Sequence, residues 1–384
     1  MAPSTVGTST VNGAVSDAGH FKIFYAQGLF WVFYSDGTTM GYKTSADGVT
    51  WSAWTAIRVA AQGYRFSVAF DGINFHYVVT TGAAGNPLYY RMGTADPGGT
   101  ITWAAAEQDC GNVVAGWTLA APRIRVDSDG YPWIAWRHQF GAATRYAYVS
   151  KSSTKNGIWT NAAGFPFQLS PTNFAGLLTD TIPLTGAKVL AIYTCLGLPV
   201  MSRLWNGASW GPEKTTTSII QHELEFCAVN QGDDVHIVFT KSATFDILYS
   251  RYTIGSDSWG LETTIQAATT SNTCPILAIH SKTSVLYCFW IGTPTVDHIF
   301  SKRNVYGAWD TLPTDLITDV NIIINGIDKH PFCCFYNDYG GYLGLVYMTG
   351  LASPFTVRFA FLSVPYVPTL RQTQIRNNLC SILS

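Results

Sequence analysis

Tryptophan returns along this chain at an almost fixed interval. Trp51, Trp103, Trp159, Trp210, Trp259 and Trp309 are separated by 52, 56, 51, 49 and 50 residues. A period near 50 marks one supersecondary unit used repeatedly, because such a unit cannot bury its apolar face alone and must stack on copies of itself. Each tryptophan follows an apolar run and a short polar turn. Leu88-Tyr89-Tyr90-Arg91 precedes Trp103, Val200-Met201-Ser202-Arg203 precedes Trp210, and Leu248-Tyr249-Ser250-Arg251 precedes Trp259.

Upstream of each run lies a second apolar segment, at residues 29–34, 75–79, 133–136, 189–193, 235–239 and 285–290. Several follow Gly turns: Gln27-Gly28, Asp71-Gly72, Asp129-Gly130 and Thr185-Gly186. Asp-Gly between apolar segments signals a hairpin, because Gly tolerates positive φ. A further short strand precedes each turn, as at 21–26, 66–70, 123–126 and 224–229. The repeat therefore reads as four antiparallel strands, A to D, with no helical period. That is a propeller blade. The expected fold is all-β, a seven-bladed β-propeller with six Trp-marked blades and a degenerate seventh. The seventh is expected from runs at 321–327, 332–336, 343–348 and 357–362. Residues 20–365 form the propeller on this reading. Residues 1–19 are a segment able to pair into the last blade, and 366–384 are an extension.

Only 12% of the residues are charged, against about 25% in an average protein. The formal net charge is −1 and no Lys/Arg run occurs, which argues against nucleic acid as the partner. No apolar stretch reaches bilayer length, so no membrane insertion is expected. Residues 1–19 lack the basic start and apolar core of an export signal. The composition nevertheless suits an extracellular or virion-associated protein. The eight cysteines show no zinc spacing and read as small buried apolar residues.

The segment Ser45-Ala46-Asp47-Gly48-Val49-Thr50-Trp51 resembles the Asp-box of sialidase-like (BNR-repeat) propellers, one residue short. Asn156-Gly157-Ile158-Trp159 and Asn206-Gly207-Ala208-Ser209-Trp210 look like decayed copies. The resemblance implies a propeller with this box on the C–D turn, away from the ligand face. It also implies an arginine cluster holding a carboxylate, for which Arg65 and Arg123 are the matching positions. The family's Tyr nucleophile and Glu partner find no counterparts.

The ligand face of a propeller is built from D–A and B–C loops. Those loops offer Asp36, Arg137-His138, His222-Glu223, Asp297-His298, Lys329-His330 and Asn337-Asp338-Tyr339. Histidine titrates near neutrality and suits proton abstraction. His138 beside Arg137, with Tyr146 or Tyr339 as acid, is therefore the lyase candidate. Glu223 with Asp297 or Asp36 is the glycosidase candidate. His222-Glu223 and Asp297-His298 are adjacent pairs expected on opposite strand faces, so no metal is expected, and no cofactor. The expected ligand-binding set is Arg65, Arg123, Arg137, His138, His222, Glu223, Asp297 and His298. A low-charge, aromatic-rich surface suits carbohydrate or glycoconjugate. The leading reading is a glycan-binding, lectin-like propeller serving attachment at a virion or cell surface. A polysaccharide lyase or glycosidase, and a structural propeller, are the alternatives.

Overall fold

The computed structural model describes residues 3–364 except 18, 105, 111–113, 142, 175, 270–272, 274, 320, 324–331 and 340. Lys329, His330, Cys274, Cys380 and the extension at 366–384 lie outside the described residues.

Seven antiparallel sheets follow one another in chain order, forming a seven-bladed propeller with four strands per blade. Blade 1 comprises Ile23–Ala26, Leu29–Ser35, Thr39–Ser45 and Thr55–Val59. Blade 3 comprises Thr118–Val126, Pro132–Phe140, Thr144–Lys151 and Phe167–Gln168. In blades 2, 5 and 6 the outer strand is split, as at Ser258–Trp259 and Thr263–Gln266. The middle strands are buried on both faces, because each sheet is covered by a neighbour on either side. Val189–Thr194 is buried at every position. Leu178, Ile182, Leu190 and Ile192 of blade 4 share one core with Phe226, Ala228, Val235 and Ile237 of blade 5.

The seventh blade is closed by the N-terminal segment, as expected, but its other strands are only in part those expected. Phe332–Cys334, Tyr342–Thr349 and Phe355–Ser363 are its first three strands, and the fourth is Ser4–Ser9 from the other end of the chain. The segment expected at 321–327 contributes only an isolated bridge, Ile322 to Thr349, among the described residues. Chain ends meeting in one sheet remove the free edge that an unpaired Phe355–Ser363 would present. Val6 of the closing strand is 1% exposed. Deleting residues 1–9 is expected to cost about 3 kcal/mol, from Val6 and the lost ladder. It should also promote association through the bared edge. Thermal unfolding with light scattering checks both.

The periodic tryptophans occupy the seams. Trp51 meets Phe359 of blade 7 at 5.2 Å between ring centroids, and its Nε1 donates to Ser4 Oγ at 3.0 Å. Trp159 packs on Tyr90 of blade 2 and Trp309 on Tyr249 of blade 5. Trp259 Nε1 donates to Ser202 Oγ of blade 4. Trp103 stands edge-on to Tyr77 of its own blade and packs against the core that blades 1 and 2 share. In the turn at 45–51, Asp47 Oδ1 accepts from the amides of Val49 and Thr50, and Ser45 Oγ accepts from Gly48. Those bonds hold the exposed Asp47 carboxyl down at about 2. Gly48 sits at φ +71, and a Cβ there would lie 2.7 Å from the Phe361 ring, so the turn tolerates no larger residue.

Candidate functional site

The seven inner strands surround an axis crossed by charge. Arg123 and Arg125 project from one face of the blade 3 inner strand, because they alternate with the buried Ile124. Asp180 of blade 4 accepts from both: Arg123 at 3.1 Å, and Arg125 through Nε at 3.2 Å and a terminal nitrogen at 2.7 Å. Arg123 is 1% exposed and Asp180 fully buried. The Arg125 guanidinium lies 3.4 Å over the Phe21 ring and 5.0 Å from that of Tyr336.

The D–A end of this axis is overlain by the connection from blade 7 to blade 1. Residues 13–17, with Gly19 and His20, are buried. Gly63 N–H donates to Gly13 O and Ser35 N–H to Ala14 O. Cys333 Sγ–H is bonded to His20 O at 2.9 Å. Lys22 donates to Gly63 O at 2.9 Å and to Phe66 O, with its ammonium over the Phe66 ring.

Burial pushes the Lys22 ammonium down to about 7, against the opposing pull of Cys333 and Asp17. The unfolded chain keeps this proton up to the ordinary lysine value near 10.5. Between those values the unfolded state binds more protons, so stability rises with pH, by at most about 1.4 kcal/mol per pH unit. The buried thiols are pushed upward and act in the opposite sense where free cysteine titrates. The difference between wild type and Lys22→Met isolates the lysine. Urea unfolding from pH 7 to 8.5 should show wild type gaining on the variant.

The sequence candidates fall at separate places. Arg65 lies in the turn Gly63–Arg65 and donates to Thr81 O at 2.9 Å. Arg123 is held by Asp180. Arg137 lies opposite Ala120 and is half-buried. It alternates with His138 along the strand, so the two side chains leave opposite faces of the sheet. His222 and Glu223 do not point apart as expected. They lie in a turn rather than a strand, and Nε2 to Oε2 is 3.3 Å. The Glu223 carboxylate packs on Gly176, where a Cβ would be 2.6 Å away. His298 Nδ1 is 2.8 Å from Asp315 Oδ2, and Asp297 precedes it in a turn at φ 65. Asp36 is engaged by the amides of Thr38 and Thr39. Glu223 is paired with His222, and Asp297 and Asp36 belong to turns of blades 6 and 1. No cluster of three or more His, Cys, Asp or Glu able to hold a metal occurs among the described residues.

One candidate sits in company that the sequence reading missed. Trp136, His138 and Phe140 alternate onto one face of the blade 3 second strand, and Tyr146 lies opposite His138. Trp117, from the connection into that blade, stands edge-on to His138 at 4.6 Å. It lies 5.4 Å from Phe140 and 6.0 Å from Tyr146. Tyr148 closes the other side of His138 at 4.8 Å. Lower on the same face, Trp136 is packed into the core shared with Leu88 and Tyr90 of blade 2. The aromatic stripe therefore runs up the seam between blades 2 and 3 and emerges on the D–A/B–C face. There Phe140 is 51% exposed. Gly85 N–H donating to Trp117 O, and Thr80 Oγ–H donating to Leu119 O, lock blade 2 against this segment. His138 is 5% exposed, and neither ring nitrogen has a hydrogen-bond partner. Desolvation lowers its pKa, so the ring is neutral at pH 7, with one nitrogen to donate and one to accept.

No protein-family model matches the chain, and no curated protein matches it significantly. Solved structures match over nearly its whole length. The BP39L lectin from Burkholderia pseudomallei superposes with a TM-score of 0.67 at 11% identity, covering 91% of this chain and 97% of that one. The polysaccharide lyase Uly1 gives 0.59 at 10% identity, covering 92% and 91%. The WD40 domain of Toxoplasma gondii coronin gives 0.57 at 10%, covering 96% and 87%. Identities this low show a shared fold alone. Propellers host unrelated functions.

Proposed function

We propose that this propeller is a lectin-like module that binds neutral glycans at the seam of blades 2 and 3, without covalent chemistry of its own. The observation that carries the reading is an aromatic surface with an unpartnered imidazole beneath it. Trp117, Phe140 and Tyr146 offer rings on which the C–H face of a pyranose can stack. His138 supplies one donor and one acceptor beneath that surface. A buried polar group without a partner costs about 1–3 kcal/mol, so a ligand hydroxyl reaching His138 recovers that cost on binding. The low surface charge suits uncharged sugars, and the lectin among the structural neighbours is consistent with the class. We place its work outside the cytoplasm, in attachment to a virion's host or a cell surface. The turn at 45–51 fits the Asp-box of a sialidase-like ancestor. Arg123, the position matched to the carboxylate site, is here held by Asp180.

The enzymatic alternative has one observation in its favour. His138 and Tyr146 face each other across paired strands, as a base and an acid would. Arg137 leaves the other face of the sheet, so the cation a lyase needs to neutralise a uronate is not with them. A glycan array combined with depolymerisation assays on neutral and acidic polysaccharides separates the readings. Binding without product supports the lectin. New unsaturated ends would replace it with a lyase.

A further inference from the structure

On the opposite face, where the A–B turns lie, the axis opens into a funnel of about 510 Å³. Its walls are A–B turns of blades 2, 3, 4, 5 and 7, including Asp71, Asp127, Thr185, Asn230 and Asn337, and its floor is Arg125 and Tyr336. A void of about 20 Å³ continues beneath, between Arg125, Asn230 and Tyr336. That is room for about one water. The funnel itself has the size of a small-molecule site, which is typically about 300–1,000 Å³.

Most charge in the funnel is already engaged. Asp71 takes the amides of Ile73 and Asn74, and His76 at 3.0 Å. Asp127 takes the amides of Asp129 and Tyr131, the Trp133 indole at 2.9 Å and Lys151 at 3.2 Å. Thr185 donates to Asp233, and Arg125 is paired with Asp180, which it shares with Arg123. The Tyr336 hydroxyl, by contrast, is buried without a hydrogen-bond partner, and Asn337 beside it is exposed. Phe70, Ile73, Pro183 and Leu184 supply apolar wall between the polar groups. Two uncharged hydrogen-bonding side chains, apolar walls and carboxylates already engaged by His76 and Lys151 suit an uncharged ligand.

We infer that this funnel is a second binding site, for a neutral pyranose, held by Tyr336 and Asn337 on the face opposite the aromatic seam. The inference rests on the glycan-binding reading for the class of ligand, but it uses none of the same residues. With one site at each end of the molecule, the propeller can bridge two glycan chains, and avidity follows from the pair.

The test labels the protein with 3-fluorotyrosine and assigns the Tyr336 line by Tyr336→Phe. The methyl glycosides of glucose, galactose, mannose and fucose are then titrated, with methyl glucuronide as the charged counterpart. Trp117→Ala silences the seam. A saturable shift of the Tyr336 line that survives Trp117→Ala, and weakens about 10-fold in Asn337→Ala, supports the funnel site. Asn337 is exposed, so that variant leaves the core intact. No saturable shift with any glycoside overturns the inference, and so does a shift abolished by Trp117→Ala. Tighter binding of the glucuronide than of glucose overturns the neutral class. If glycosides move the Tyr146 line at the seam and never Tyr336, the funnel fails while the seam stands.

Discussion

Trp117→Ala should weaken glycan binding about 30-fold while leaving the fold intact. The indole is half-buried, so its removal strips the stacking surface without opening the core. Aromatic anchors at the centre of a binding patch cost about 2 kcal/mol when truncated, which is about 30-fold in affinity. Trp117→Phe should recover most of the loss, because stacking needs a flat ring rather than an indole N–H. His138→Ala should show a smaller fall and no recovery in His138→Phe, because the imidazole acts through hydrogen bonds. Titration of the array-selected oligosaccharide by calorimetry reads all four variants. Equal affinity in wild type and Trp117→Ala would move the site elsewhere.

Asp180→Ala should cost about 3–5 kcal/mol of stability, the largest effect expected of any single change at the axis. Asp180 accepts from two buried guanidiniums, and removing it takes from Arg125 the carboxylate that holds it in a buried site. Asp180→Asn keeps one carbonyl acceptor and should fall between wild type and Ala. Arg123→Met, Arg125→Met and Asp180→Leu combined should recover much of the loss, since apolar groups of similar volume remove the desolvation cost as well. Urea unfolding gives the ranking. Asp180→Ala as stable as wild type would show that the axial charges are solvated.

The repeat was legible because its physics is local. Each periodic tryptophan covers a seam just after its own turn, so the same residue recurs at the same offset. The seventh blade was only partly legible. It lacks a tryptophan, and its fourth strand, Ser4–Ser9, is paired with Phe355–Ser363 across almost the full length of the chain. No window of sequence contains both. Arg123 drew attention as a residue type that binds carboxylates, but its carboxylate is the chain's own. Asp180 lies 57 positions away, and only the packing of blade 4 against blade 3 brings it near. His222 and Glu223 were assigned to opposite faces of a strand, and the turn they occupy turns them toward each other.

His138 was found because imidazoles are scarce here, with 8 in the chain. Trp117 was not, because it is one of 13 tryptophans and falls outside the periodic six. The usable signal was that departure itself. A tryptophan in a D–A connection cannot serve the C–D seam that explains the others, so it calls for a separate reason. The funnel was illegible for another cause: its walls come from turns spread over five blades, each of which reads locally as a hairpin.

The claim that a sugar stacks at the seam of blades 2 and 3 is tested most directly by fluorine NMR on protein carrying 5-fluorotryptophan. The Trp117 line, assigned by Trp117→Phe, should shift saturably on adding the array-selected oligosaccharide, while the seam tryptophan Trp51 stays still. A Trp117 line that never moves at saturating ligand would contradict it.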